Sequence, residues 1–295
     1  MKKVGFIGLG IMGSHMAANL AKAGYEVWAY DIVAAAVEKA VANGCKGCSS
    51  IQEVAENNDV IITMLPNSPH VKAVVLGAGG VLEFAKKDTL VIDMSSIAPA
   101  ASAEMQKACA EKGVRMIDAP VSGGEPKAAD GTLAIMVGGE EKDFDQAKEY
   151  FDVMGSSAVL VGPIGSGNTC KLTNQIIVAV NIAALAEGLM LAERAGADPE
   201  KVFNAIKGGL AGSTVMNAKA PMMLDGNFKP GFKIDLHIKD LGNALDTGYG
   251  TGTPLPLTAE VMQMMQVLKA DGMGQNDHSG LLKYYEKLTG SEVRR

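Results

Sequence analysis

The chain carries the sequence VGFIGLGIMG at residues 4–13, and this stretch decides the fold of its first half. Residues 4–7 predict a strand, and Gly8, Gly10 and Gly13 follow it in a G-x-G-x-x-G pattern. The first glycine of such a turn permits a tight bend, the second lets the backbone approach a pyrophosphate, and the third lets helix and strand pack closely. The N–H groups that open the following helix then face the phosphates. The candidate dinucleotide contacts are Gly8, Leu9, Gly10, Ile11, Met12 and Gly13.

The context of these glycines separates them from an ordinary glycine turn. Glycine accounts for 35 of 295 residues, so the pattern alone could arise by chance. Asp31, however, closes a second predicted strand 18 residues beyond Gly13, where an acidic side chain accepts hydrogen bonds from the adenosine ribose. Ile32 and Val33 follow it, and neither can hold a 2′-phosphate. The pattern therefore favours NAD over NADP, and NADH over NADPH as the reductant.

Apolar runs alternate with helical patterns from residue 4 to about residue 160. Strands are predicted at residues 4–7, 26–30, 60–64, 90–93, 115–118, 134–137 and 158–161. This alternation predicts an α/β, Rossmann-type domain whose mostly parallel sheet has helices on both faces. A glycine-rich stretch at residues 162–167 ends it, and only helical patterns follow. We therefore predict a Rossmann-type domain over residues 1–163 and a second, all-α domain over residues 164–295.

Two further segments follow predicted strands, where loops of an open α/β sheet cover a ligand. The candidate cofactor contacts in them are Leu65, Pro66, Asn67 and Ser96. The second loop could equally supply a serine N-cap ahead of a helix with Pro99 at its start, and both interpretations can hold together.

Two more segments have the residue types of a substrate site. The sequence DAPVSGG at residues 118–124 follows a strand, and its glycines free backbone N–H groups to face an anion. The sequence GNTCKLTNQ at residues 167–175 opens a long apolar helix, on which Lys171 and Asn174 share one face. The pattern alone leaves open a lysine that extends its apolar stem to the surface.

The composition of the chain limits the classes of partner that the protein is expected to bind. A net charge of −6 and a pI near 5.3 provide no basic footprint for nucleic acid and fit poorly with anionic lipid. Four scattered cysteines predict neither a disulfide framework nor a zinc site, so we expect no metal. The apolar stretch at residues 176–186 is too short to span a bilayer. We expect a cytoplasmic protein that binds no nucleic acid and no membrane.

Residues 6–19 resemble the N-terminal signature of the β-hydroxyacid dehydrogenase family. Residues 118–124, residues 167–174 and the pair Lys239-Asp240 resemble its other motifs in the family's order, so the resemblance covers essentially the whole chain. It implies NAD-dependent chemistry on a small carboxylated aldehyde or hydroxy acid, by a homodimer or homotetramer assembled through its helices. The roles that it implies are a catalytic acid/base for Lys171, carboxylate binding for Ser122, Gly123 and Gly124, substrate orientation for Asn174, and cofactor contact for Ser96 and Lys239.

Within the family, residues 61–72, 118–127, 208–215 and 228–241 are most similar to members that reduce tartronate semialdehyde (2-hydroxy-3-oxopropanoate) to D-glycerate. Those members often carry Arg-Asn after the acidic residue, and Ile-Val stands here instead, which strengthens the expectation of NAD. Another substrate, such as 3-hydroxyisobutyrate or 2-(hydroxymethyl)glutarate, is the nearest alternative. A non-catalytic dinucleotide-binding module is less favoured because Lys171 and Asn174 are both present. Oxidative decarboxylation of a sugar-acid phosphate is less favoured because the second half has arginines only at 194, 294 and 295.

Overall fold

The computed structural model describes residues 1–294, and the chain divides into two compact units between Lys171 and Leu172. The strands of the first unit are β1 (Lys3–Ile7), β2 (Glu26–Tyr30), β3 (Lys46–Gly47), β4 (Val60–Thr63), β5 (Leu90–Asp93), β6 (Arg115–Asp118), β7 (Val121–Ser122), β8 (Leu133–Gly138) and β9 (Gly155–Gly162). The predicted strands are all present. The structure adds β3 and β7, which are two residues long and too short to show a periodicity.

The strands form one sheet in the order β3-β2-β1-β4-β5-β6-β8-β7, with β9 paired to β8. All pairings among the first six strands of this order are parallel, whereas β8 runs antiparallel to β6 and β7. The strand order reverses between β1 and β4, and ligands of open α/β sheets bind at such a point, beyond the carboxyl ends of the strands.

Helices cover both faces of this sheet, as the sequence predicted. They are α1 (Ile11–Lys22), α2 (Ala34–Ala42), α3 (Ile51–Asn57), α4 (Ser68–Leu76), α5 (Val81–Phe84), α6 (Pro99–Glu111), α7 (Gly124–Asp130) and α8 (Glu141–Met154). Successive side chains of a strand point to opposite faces, and here each face has its own core. Phe6 and Ile62 pack in one core, and Ile7 and Ile61 pack in the other. The near-continuous apolar strands follow from this burial on both faces.

The second unit is helical, which confirms the predicted all-α domain. Its helices are α9 (Ser166–Arg194), which begins in the first unit, α10 (Pro199–Ile206), α11 (Thr214–Leu224), α12 (Ile234–Thr251), α13 (Pro256–Ala270) and α14 (Leu282–Thr289), with a 3₁₀ turn at His278–Leu281. Within residues 172–294 the only β pairing is an isolated bridge between Lys233 and Asp277. Ile182 and Ala186 of α9, Leu241 of α12 and Met265 of α13 meet in its core.

Helix α9 extends well beyond the apolar stretch at residues 176–186. It is 29 residues long with a mean hydropathy of 1.8 in its most apolar segment, enough by length and composition to cross a membrane. The apolar stretch at residues 176–186 is thus part of a longer apolar helix. Half of that segment is buried inside the protein. The core helix of a globular protein can have the same length and apolar composition as a membrane-spanning helix. The same chain does not cover every side of the helix, because Ile177 and Leu191 are 55% and 70% exposed.

Candidate functional site

The glycine loop that links β1 to α1 has the geometry that a pyrophosphate requires. Gly8 adopts a φ of +100°, and a Cβ there would collide with the carbonyl oxygen of Met64. A Cβ on Gly13 would collide with the carbonyl oxygen of Gly8, so α1 can approach β1 only without a side chain at that position. A Cβ on Gly10 would meet open space, which leaves the backbone there accessible. The loop therefore fits a dinucleotide.

The first turn of α1 is open to an anion. Gly10 is its N-cap and supplies no side-chain hydrogen bond, and the first helical bond runs from Ser14 N to Gly10 O at 3.0 Å. The N–H groups of Ile11, Met12 and Gly13 consequently have no carbonyl four residues back within the helix. They add to the partial positive charge of the helix N-terminus, which stabilises a bound phosphate.

Asp31 holds this loop from the end of β2. Its Oδ2 accepts from Leu9 N at 2.6 Å, and its Oδ1 accepts from Val33 N at 2.9 Å. A carboxylate oxygen can accept a second hydrogen bond, so both contacts are compatible with the predicted role toward the ribose. The structure thus adds a function to Asp31, which is to fix the loop whose backbone would face the pyrophosphate.

A cavity of about 550 Å³ lies beside Asp31. Its lining residues are Tyr30, Asp31, Ile32, Ala34, Val37, Glu38, Val41, Cys48 and Ser49. Both charged residues of this lining, Asp31 and Glu38, are acidic, and Ile32 is 90% exposed. A negatively charged lining repels a 2′-phosphate and accommodates a ribose with free hydroxyls. Glu38 and Cys48 were not predicted to lie here, because they are outside the glycine motif and its acidic partner.

The loops after β4 and β5 lie side by side with the glycine loop. Thr63 pairs with Asp93 in the parallel register, and Leu65 N donates to Ser95 Oγ at 2.9 Å. Asn67 accepts from Ser68 N and caps α4. A Cβ on Gly8 would touch the Leu65 side chain, so the sheet does bring these segments to one edge. The four predicted contacts Leu65, Pro66, Asn67 and Ser96 all lie in these two loops.

Two buried aspartates end neighbouring strands below these loops. Asp93 of β5 lies beside Asp118 of β6 in the parallel register, and both are 0% exposed. Burial raises the pKa of Asp93 to about 7 against hydrogen bonds from Ser95 and Thr63, and the Asp118 charge raises it further. Burial also raises the pKa of Asp118 to about 6, against the N–H groups of Asn168 and Gly165. Neither carboxyl group was predicted to have a role.

Asp118 anchors the start of α9. Its two carboxylate oxygens accept from Gly165 N and Asn168 N, each at 2.6 Å. The Asn168 side chain accepts from Ile97 N at 3.0 Å and donates to Ser102 Oγ at 3.2 Å. These bonds explain why the units divide eight residues beyond the predicted boundary at residue 163, since the first turn of α9 packs on the first unit.

Lys171 follows Asn168 by one helical turn and is only 6% exposed. Its position is therefore fixed by Asp118 and Asn168, which belong to the two predicted motifs but were not among the predicted site residues. A buried lysine requires a compensating environment, which favours function over the alternative of a stem that reaches the surface.

The loop proposed for the substrate carboxylate also belongs to the first unit. Ser122 pairs with Ala134 in the short β7–β8 ladder, and Gly123 and Gly124 have φ values of +145° and +69°. The carbon chain of Lys127 covers Gly123, where a Cβ would collide with it. Helix α7 after this loop is tied to α1, because the Asn19 side chain donates to Ala128 O at 2.9 Å.

Two candidate residues belong to the second unit. Asn174 lies on α9 one turn beyond Lys171 and is partly buried. Lys239 lies on α12, where its ammonium forms an ion pair with Asp240 Oδ1 at 2.9 Å. Their contacts with substrate and cofactor stay predictions.

The cysteines and the potential metal ligands do not cluster in the described part of the chain. Across residues 1–294, no group of three or more His, Cys, Asp or Glu side chains is arranged to hold a metal ion. Cys45 and Cys48 are buried free thiols, and burial raises their pKa values to about 11 and about 12.

Two family models match the chain in succession. The NAD-binding domain of 6-phosphogluconate dehydrogenase matches residues 3–162, and the NAD-binding domain of NADP-dependent 3-hydroxyisobutyrate dehydrogenase matches residues 165–285. Among curated proteins, the chain is 42% identical to 2-(hydroxymethyl)glutarate dehydrogenase of Eubacterium barkeri, over 99% of this chain and 97% of that protein. It is 41% identical to 2-hydroxy-3-oxopropionate reductase of Escherichia coli K12, over 99% of each.

A solved structure agrees with these relatives. The 3-hydroxyisobutyrate dehydrogenase of Mycobacterium tuberculosis with L-serine matches with a TM-score of 0.90 and 34% identity, covering 96% of this chain and 98% of that one. The similarity of sequence and of fold to these relatives therefore extends along nearly the whole chain. The chain belongs to the 3-hydroxyisobutyrate dehydrogenase family of β-hydroxyacid dehydrogenases, and it is an NAD(P)-binding oxidoreductase.

Proposed function

We propose that this enzyme reduces tartronate semialdehyde to D-glycerate with NADH, reversibly, and that Lys171 is its general acid/base. The observation that carries the chemistry is the buried Lys171, which Asp118 and Asn168 fix in the same unit as the glycine loop. A buried ammonium, without a metal, can provide both the positive charge and the proton that carbonyl reduction needs.

Each predicted site residue has a separate role in the proposed reaction. The backbone N–H groups of Gly123 and Gly124, with the Ser122 hydroxyl, bind the substrate carboxylate. When bound, the reduced nicotinamide supplies a hydride for the aldehyde carbon. The Lys171 ammonium stabilises the negative charge that develops on the carbonyl oxygen and donates a proton to it, so the aldehyde becomes a primary alcohol. Asn174 orients the substrate beside Lys171, and a neutral Lys171 accepts the proton in the oxidative direction.

The choice of substrate rests on local stretches of sequence. The segment GGEPK at residues 123–127 adjoins the carboxylate loop and supports the reductase, as does the 41% identity to 2-hydroxy-3-oxopropionate reductase. The 42% identity to 2-(hydroxymethyl)glutarate dehydrogenase supports a second candidate, the oxidation of 2-(hydroxymethyl)glutarate. The two substrates differ in length and in their number of carboxylates.

A substrate panel separates the two candidates. Initial rates of NADH oxidation with tartronate semialdehyde are compared with rates of NAD reduction with 2-(hydroxymethyl)glutarate and 3-hydroxyisobutyrate. The proposal predicts the highest kcat/KM for tartronate semialdehyde, by at least about tenfold, which corresponds to 1.4 kcal/mol of transition-state discrimination. The aldehyde product of each hydroxy acid is also assayed in the reductive direction, so that kcat/KM values are compared for the same direction. A higher kcat/KM for either of these substrates than for tartronate semialdehyde would replace the proposed substrate.

A preference for NADH over NADPH is part of the proposal. The acidic lining formed by Asp31 and Glu38 supports it, together with the exposed Ile32 at the place where a phosphate-binding arginine could stand. Ile32→Arg should raise the kcat/KM ratio of NADPH to NADH by about tenfold or more, because a guanidinium binds a phosphate in a bidentate manner. Ile206→Arg, at another exposed isoleucine on α10, is the matched control. An unchanged ratio in Ile32→Arg contradicts this assignment.

We also propose a homodimer or homotetramer. The second unit exposes large apolar side chains, among them Ile177 and Leu191 of α9, Tyr249 of α12 and Leu257 of α13. Association with a second copy would remove such side chains from water. Light scattering after gel filtration should give a mass of two or four chains. A monomer at micromolar concentration contradicts this.

A further inference from the structure

A chain of polar contacts runs through the second unit from α12 to α9. Lys239 forms an ion pair with Asp240 Oδ1 at 2.9 Å, and Gln175 Nε2 donates to Asp240 Oδ2 at 2.6 Å. Gln175 Oε1 in turn accepts from Asn174 Nδ2 at 2.8 Å. Gln175 and Asp240 are buried, with 4% and 1% of their surfaces exposed. Gln175 is thus the link between the paired carboxylate and the asparagine predicted to orient the substrate.

The chemistry of these groups fixes the direction of each amide. An ionised carboxylate only accepts hydrogen bonds, so Gln175 must present its NH₂ group to Asp240. Its carbonyl oxygen then faces Asn174, which must present its own NH₂ group in turn. The remaining acceptor of this asparagine, Oδ1, accepts no hydrogen bond from residues 1–294. If the Gln175 amide were reversed, its carbonyl oxygen would face the Asp240 carboxylate and its NH₂ group would face that of Asn174. If the Asn174 amide were reversed, its carbonyl oxygen would face that of Gln175.

Helix α12 also holds residue 175 through its backbone. His237 lies one turn before Asp240, and its Nε2 is 3.1 Å from the carbonyl oxygen of Gln175. A carbonyl oxygen only accepts, so His237 Nε2 is the donor. The side chain and the main chain of Gln175 therefore contact the same face of α12, and a buried residue that is held at both ends has few alternative rotamers.

We propose that Gln175 is a positioning residue that fixes the orientation of the Asn174 amide, so that Asn174 Oδ1 accepts a hydrogen bond from a substrate hydroxyl group. This rests on the proposed function, in which Asn174 orients the substrate. Tartronate semialdehyde carries such a hydroxyl at C2, and so does D-glycerate. The relay of polar contacts from Lys239 through Asp240 and Gln175 to Asn174 thus ends on an acceptor. It favours substrates with an O–H donor over those with a methyl group at the same place, because a methyl group leaves the acceptor unpaired.

The test is a double-mutant cycle between Gln175→Met and Asn174→Ala. Methionine matches glutamine in length but offers neither hydrogen bond, and Gln266→Met, at an exposed glutamine of α13, is the matched control. Gln175→Met should lower kcat/KM by about tenfold, the loss of one substrate hydrogen bond, with the NADH Kd unchanged. In the Asn174→Ala background the same substitution should have no further effect. Equal losses in both backgrounds would show that Gln175 acts through the fold alone and would overturn the proposal.

A second measurement is independent of the substrate. The side-chain NH₂ resonances of Asn174 are identified by their absence in Asn174→Ala. They should shift in Gln175→Met and stay in place in Gln266→Met, because only the first removes the acceptor of the Asn174 NH₂ group. Unchanged resonances in Gln175→Met overturn the relay whichever substrate the enzyme uses. A shift without turnover of tartronate semialdehyde upholds the relay and rejects only the proposed substrate.

Discussion

The buried carboxyl of Asp93 should make a contribution to the stability of the enzyme that depends on pH, and Asp93→Asn should remove that contribution. Burial raises its pKa from 3.8 to about 7, so between these values the folded state holds the proton more tightly than the unfolded chain does. Its contribution to stability is complete below pH 3.8 and is lost as the pH rises through 7. A shift of this size corresponds to about 4 kcal/mol over the whole window, of which about 2.5 kcal/mol falls between pH 5 and pH 8.

Asparagine matches aspartate in shape and keeps the acceptor that Thr63 and Ser95 use, at 2.8 and 3.2 Å, but it does not titrate. Urea unfolding gives the free energy of unfolding of wild type and variant at pH 5 and pH 8. The wild-type value minus the Asp93→Asn value should fall by about 2.5 kcal/mol between the two pH values. Asp59→Asn, at a carboxylate with 82% of its side chain exposed, should give a constant difference. A constant difference for Asp93→Asn as well would refute the account of a protonated buried carboxyl.

Three substitutions test the glycine loop and its acidic partner. Asp31→Ala removes the acceptor of Leu9 N and the predicted ribose contact, so NADH fluorescence titration should show a Kd higher by about tenfold or more, and an unchanged Kd would refute that role. Gly13→Ala should lower the Tm by several degrees, because its Cβ collides with Gly8 O, and a wild-type Tm would contradict the close packing of α1 on β1. Gly10→Ala has open space around it, so its Tm should stay near that of wild type while its NADH Kd rises; the reverse pattern would remove Gly10 from the pyrophosphate site.

The first unit was largely predictable because its signals are local. Residues 4–13 contain a strand, a turn and the start of a helix, and each glycine there answers a steric demand within a few residues of chain. The antiparallel pairing of β8 and the two-residue strands β3 and β7 were not predictable, because no local pattern records which strand lies next to which.

The anchoring of Lys171 depends on contacts that are distant in sequence. Asp118 and Asn168 are 50 residues apart, and a single sequence does not show that their polar groups meet. The catalytic role of Lys171 came from the family resemblance, since spacing alone allowed a surface lysine. The exposure of Ile177 and Leu191 on α9 was not predictable for a related reason. An apolar pattern indicates that a helix is buried, but not which of its faces the same chain covers.

The turnover of Lys171→Ala, measured beside its NADH affinity, tests the central claim most directly. Loss of the ammonium should reduce kcat for the best substrate of the panel by about 10² to 10⁴, the range for a general acid, while the NADH Kd and the Tm stay close to those of wild type. Lys148→Ala, at an exposed lysine of α8, should leave all three unchanged. Turnover by Lys171→Ala near the wild-type rate would contradict the assignment of the acid/base, whatever the substrate.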